Sequence, residues 1–176
     1  PHVHVLMLTL ALAALIAAVP ESVPVLALDV ANPRKTGRHI LHFEDVIGPR
    51  AQKIARPVRG LLVVALAPGR RQPTGTQLDT LADATPALVA LGALVVGVVL
   101  PGPTPADDPA IEPEAMPFVV AFDRFGLATR RLGLLGPGHV LVIRSDGRIA
   151  GSFGPDPRAL GDAVATLTAL LKEEQP

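Results

Sequence analysis

Two continuous aliphatic runs, Leu61-Leu62-Val63-Val64-Ala65-Leu66 and Ala93 to Leu100, constrain the fold of this chain more than any other feature. The first lies between Gly60 and Pro68-Gly69, the second follows Gly92, and neither alternates with polar residues. A strand with one wet face alternates; a strand covered on both faces reads as an unbroken apolar run. Between the two runs, Thr76 to Leu91 sets Leu78, Leu81, Leu88 and Leu91 at helical spacing until Gly92 stops the pattern. Strand, helix and strand in that order form a right-handed βαβ unit, so the sheet holds a parallel pair and is covered by helices.

The remaining segments extend this α/β pattern. From Asp29 to Gly60 the composition is mixed, with Asn32-Pro33, Thr36-Gly37 and Gly48-Pro49 as turns around a strand expected over His39 to Phe43. Pro101 to Pro117 is crowded with proline and acid and reads as an exposed loop of polyproline character. Phe118 to Phe122 reads as a strand, Asp123 to Leu132 as a short helix, and Val140 to Ile143 and Ile149 to Phe153 as two strands. Ser145-Asp146-Gly147-Arg148 joins the last two, and Asp-Gly between apolar strands signals a hairpin. Asp156-Pro157 opens a final helix with Leu160, Val164, Leu167, Leu170 and Leu171 on one face.

Composition excludes whole classes of chemistry. With no cysteine, the chain has no disulfide, thiolate metal site, iron–sulfur cluster or cysteine nucleophile. Lys+Arg and Asp+Glu both total 16, so no net field draws in nucleic acid, and aromatic residues at 3% leave few stacking platforms for bases. There is no phosphate-binding P-loop, no His-Glu-x-x-His and no Gly-x-Ser-x-Gly elbow. His39 and His42, three apart, would point to opposite faces of a strand, and no metal or other cofactor is expected.

Upstream lies a second kind of segment. Val3 to Val19 is apolar apart from His4 and Thr9, ends at Pro20-Glu21-Ser22, and is followed by another apolar stretch from Val23 to Leu28. The run is short for a bilayer span of about 20 residues and long for the core of a signal peptide. Small residues at Ala18 and Ala27 fit cleavage sites and favour a signal peptide over an uncleaved membrane anchor, although no Lys or Arg precedes Arg34. A buried hydrophobic helix belonging to the fold is the third reading. The division drawn on this basis is 1–28 as a signal or anchor helix, 29–57 as an extension of the domain, and 58–176 as the domain proper, with an exported, extracytoplasmic location.

Phe118-Val119-Val120-Ala121-Phe122-Asp123-Arg124-Phe125-Gly126, then Gly136-Pro137, then Val140 through Ile149 with its Asp146-Gly147 turn, resembles the C-terminal half of peroxiredoxins and related redoxins. The resemblance covers about residues 58 to 171 and implies a thioredoxin-like three-layer α/β/α sandwich around a central mixed β-sheet. It also implies a cis peptide at Gly136-Pro137, with that proline facing the redox site. Such families set a reactive cysteine in a Pro-x-x-x-Thr-x-x-Cys loop at a helix N-terminus. The matching stretch here is Pro68-Gly69-Arg70-Arg71-Gln72-Pro73-Thr74-Gly75-Thr76, with Thr74 or Thr76 where the cysteine would fall. A threonine hydroxyl cannot form a sulfenic acid, so the peroxidase mechanism is absent.

What remains is a scaffold without its chemistry. The expectation is a non-enzymatic module that binds a protein partner or a small anion through the former active-site face, with Arg70, Arg71, Thr74, Thr76, Pro137 and His139 as candidate contacts. An enzyme of replaced chemistry, using Thr76, His139 and Arg70, is the alternative. Nucleic acid is not expected as a partner, and membrane contact is expected only through the N-terminal segment.

Overall fold

The computed structural model describes residues 20–54, 57–73, 78–103 and 110–174. Ten regular elements are defined there: β1 (Ala27–Val30), β2 (Ile40–His42), β3 (Gly60–Leu66), α1 (Leu78–Ala90), β4 (Ala93–Val99), β5 (Val119–Phe122), α2 (Leu127–Leu132), β6 (Val140–Arg144), β7 (Ile149–Phe153) and α3 (Ala159–Glu173).

The strands form one mixed sheet in the order β2-β1-β5-β4-β3-β6-β7. β3 lies parallel to β4 from Gly60↔Ala93 to Leu66↔Val99, and β4 lies parallel to β5; the other neighbours are antiparallel. Both aliphatic runs are therefore central strands, and alternate residues of β3 serve opposite cores. Leu62, Val64 and Leu66 pack with Leu81 and Leu88 of α1 and Leu160, Leu167 and Leu171 of α3. Leu61, Val63 and Ala65 pack on the other face with Ala128 and Leu132 of α2 and with Phe43 and Ile47. Each of the larger of these side chains, the leucines, valines, isoleucine and phenylalanine, contributes roughly 1.5–3 kcal/mol on burial, which is why the sheet demands helices on both faces. Gly97 is required at the centre: a Cβ there would stand 2.6 Å from Leu66 Cδ1 and 2.9 Å from Phe118 Cε2.

The β6–β7 hairpin forms as its sequence predicts. Gly147 takes φ +86°, and the Asp146 carboxylate accepts the Arg148 N–H at 2.9 Å.

Several boundaries move. The strand expected over His39 to Phe43 is confined to Ile40–His42, because Phe43 turns into a short 3₁₀ helix. The helix expected from Asp123 begins only at Leu127; Asp123 is buried and caps it, accepting the N–H groups of Ala128 and Thr129, both at 3.0 Å. The cis X-Pro peptide among the described residues is Gly154-Pro155, and Gly136-Pro137 is trans. The Pro101 to Pro117 loop is anchored at its described end, where Ile111 is buried in the core.

The division at residue 28 falls inside β1. Leu26 and Leu28 are 0% and 4% exposed, and β1 pairs with both β2 and β5, so the segment called an extension supplies the end of β1 and all of β2 to the sheet. The period-two alternation of Leu26, Leu28 and Val30 directs them to one core face. The Val3 to Val19 run, with its expected helix, lies outside the described residues. No described helix is long and apolar enough to cross a membrane.

Candidate functional site

At the C-terminal end of β3 the chain enters a tight loop braced by one side chain. Gln72 accepts the Ala67 N–H through Oε1 at 2.7 Å and donates through Nε2 to the carbonyls of Ala67 at 3.2 Å and Gly69 at 2.7 Å. With both ends of its amide engaged, Gln72 gives Pro68 to Arg71 a defined path. Gly69 forms a bridge with Ala110, and Arg70 makes an ion pair with Glu112, so the β3–α1 loop is stitched to the β4–β5 connection.

That connection is fixed from behind by Asn32, which has no exposed surface. Its Nδ2 donates to the carbonyls of Pro113 at 3.0 Å and Phe118 at 2.8 Å, and its Oδ1 accepts the Val120 N–H at 2.8 Å. All three partners are backbone groups, so one amide sets the separation between residue 113 and β5. Buried amides are costly unless satisfied in this way.

Between the two stitched loops lies a cleft of about 450 Å³, lined by Arg70, Gln72, Leu78, Asp79, Ile111, Glu112 and Met116. It opens beyond the carboxyl end of a central strand, where open α/β sheets place their ligands. Leu78, Ile111 and Met116 supply an apolar lining, and Arg70, Asp79 and Glu112 supply charge. Among the described residues the lining of the cleft carries no hydroxyl, imidazole or amine, and its ionisable oxygens are the carboxylates of Asp79 and Glu112.

Of the described residues expected from sequence, Arg70 lines this cleft, and Arg71, Pro137 and His139 are not among its lining residues. Arg70 lines the cleft and is engaged by Glu112; Arg71 is next to it in the chain and has its own interaction. Thr74 and Thr76 lie outside the described residues. Pro137 is half-buried in the loop before β6. His139 is fully buried and serves the fold, because its Nδ1 accepts the Leu135 N–H at 2.8 Å and its Nε2 lies 2.6 Å from Ser152 Oγ. An Nδ1 that accepts leaves the proton on Nε2, which then donates to the serine, so the ring is held neutral. Burial lowers its pKa, in keeping with that state.

Sequence reasoning missed Asn32, Gln72, Ile111 and Met116. Asn32 is visible there only as a turn former beside Pro33, and Ile111 only as the isolated aliphatic residue of a proline-rich loop.

Among the described residues no group of three or more His, Asp or Glu side chains is placed to hold a metal ion. No known family profile matches the chain, nor does any curated protein sequence. Solved structures do match: thioredoxin peroxidase I of Plasmodium yoelii aligns with a TM-score of 0.64 over 89% of this chain and 90% of its own length, at 14% identity. The chain has a thioredoxin-like fold. Peroxiredoxin Q of Xanthomonas campestris aligns at TM-score 0.57 over 85% of this chain and 92% of its own, with 15% identity. An uncharacterized thioredoxin-like protein of Porphyromonas gingivalis gives TM-score 0.57 over 90% and 97%, with 12% identity. These neighbours are peroxiredoxins and a thioredoxin-like protein, and this chain, which shares their fold, has no cysteine for thiol chemistry.

Proposed function

We propose that this chain is a non-redox binding module in which the thioredoxin-like scaffold uses the cleft beside Arg70 to hold a segment of a protein partner. The observation that carries the reading is the cleft's composition: Leu78, Ile111 and Met116 line a concavity between two braced loops in a chain without a thiol. Concave apolar surface with a few fixed polar groups is what a binding site offers. A small anion is the weaker occupant, because Arg70 is already paired with Glu112 and Asp79 adds a second carboxylate.

Two measurements test the reading. With hydrogen peroxide and a dithiol reductant, the protein consumes no peroxide above the uncatalysed rate; turnover would overturn the non-redox reading. A partner captured by the parent protein is lost by Ile111→Arg, which places a charge in the apolar lining; retention by a folded Ile111→Arg protein would move the site elsewhere.

The apolar run from Val3 to Val19 supports an exported location, either cleaved or anchored. Fractionation of cells carrying a C-terminally tagged chain checks this, and recovery in the cytosol would overturn it.

A further inference from the structure

We propose that the cleft selects extended polypeptide segments in which an apolar side chain is flanked by lysine or arginine. The inference rests on the binding-module reading and names the class of segment that the same cleft accepts.

Among the described residues that line the cleft the charge is not balanced: one arginine, Arg70, stands with two carboxylates, Asp79 and Glu112. Arg70 and Glu112 pair with each other at the surface, with side chains 49% and 69% exposed, and together form a locally neutral wall. Asp79 remains: it stands exposed in the first turn of α1 and has no ion-pair partner among the described residues. Outside the lining, Glu114 follows Glu112 by two residues and Arg71 follows Arg70, so these two neighbours offset each other in formal charge and the excess at the cleft is that of Asp79. An incoming acidic segment meets uncompensated negative charge, whereas a basic one meets a carboxylate it can pair with.

The apolar lining then sets the order of side chains. Leu78 and Asp79 are consecutive on α1, so the apolar contact and the carboxylate lie one residue apart at the cleft. A segment that places an aliphatic side chain against Leu78, Ile111 and Met116 brings the neighbouring residue to the rim, where Asp79 selects its charge. Met116, unbranched and adaptable, tolerates different aliphatic side chains at the buried position, so selection falls on charge more than on shape.

The test uses three fluorescein-labelled nonapeptides sharing a Leu-Val-Leu centre, with lysine, glutamine or glutamate on both sides of it, read by fluorescence anisotropy with the full chain. The lysine peptide is expected to bind about two- to fivefold tighter than the glutamine peptide, with the glutamate peptide weakest. The gap closes at about 0.5 M salt, where screening operates over a few ångströms. Asp79→Asn removes the preference, and Asp79→Lys reverses it, with circular dichroism melts confirming that both variants fold. Equal binding of all three peptides would overturn charge selection and leave the binding module standing. Charge ranking that persists in Asp79→Asn would also overturn it, and no binding of any peptide would remove the binding-module reading together with this inference.

Discussion

His139 shows how a residue that looks functional in sequence becomes structural in space. The buried ring accepts the Leu135 N–H and meets Ser152, and its pKa is lowered by burial below the ordinary value of 6.5. Protonation would turn the accepting Nδ1 into a donor facing another donor. Because the folded pKa is depressed, the unfolded chain binds more protons as pH falls below 6.5. The contribution of His139 to stability is therefore present above that value and is lost on acidification. Urea unfolding midpoints of the parent should fall between about pH 7.5 and about pH 5.5, while His139→Gln, less stable by about 1–3 kcal/mol at the upper pH, should show a flatter profile. A parent profile as flat as that of the variant would mean the ring is not held neutral.

At the scale of elements, the short helix α2 depends on one carboxylate outside it. Asp123 is 1% exposed, accepts the N–H groups of Ala128 and Thr129, and takes the Thr129 hydroxyl at 2.9 Å. The helix spans only Leu127–Leu132, too short to persist without such support, and it carries Ala128 and Leu132 into the core. Asp123→Ala should cost about 2 kcal/mol in chemical denaturation, with Asp123→Asn recovering part of it through its remaining acceptor oxygen. Loss below about 0.5 kcal/mol for alanine would show that packing alone holds α2. Helix α1 illustrates the converse: Pro86 lies inside Leu78–Ala90, yet Leu81, Thr85 and Leu88 are all buried, so tertiary packing overrides the local cost of the proline.

At the scale of the whole molecule, the sheet runs from β2 to β7 without a break, and β1 begins in a segment that composition groups with the upstream apolar run. Leu26 and Leu28 belong to the same core as Leu61, Val63 and Leu141. Removing residues 1–28 should therefore abolish cooperative unfolding, since losing one buried leucine costs about 2–5 kcal/mol and the deletion also cuts into β1. A chain starting at Asp29 that unfolds in a single sharp transition would contradict the placement of β1 in the core.

The sequence by itself determined the parts that are local: two doubly buried strands around α1, the Asp146-Gly147 hairpin, the terminal helix with Leu160, Leu167 and Leu171 inward, and the exclusion of thiol chemistry. Periodicity, turn chemistry and composition are read within a window of a few residues, so these features are visible in one dimension. Tertiary structure alone decided the seating of β1 beside β5, the capture of the proline-rich loop by Asn32 from 81 residues away and by Arg70 from 42, and the burial of His139. The closure of such distant contacts is governed by the collective packing of both faces of the sheet, and neither partner carries a local signal of the other.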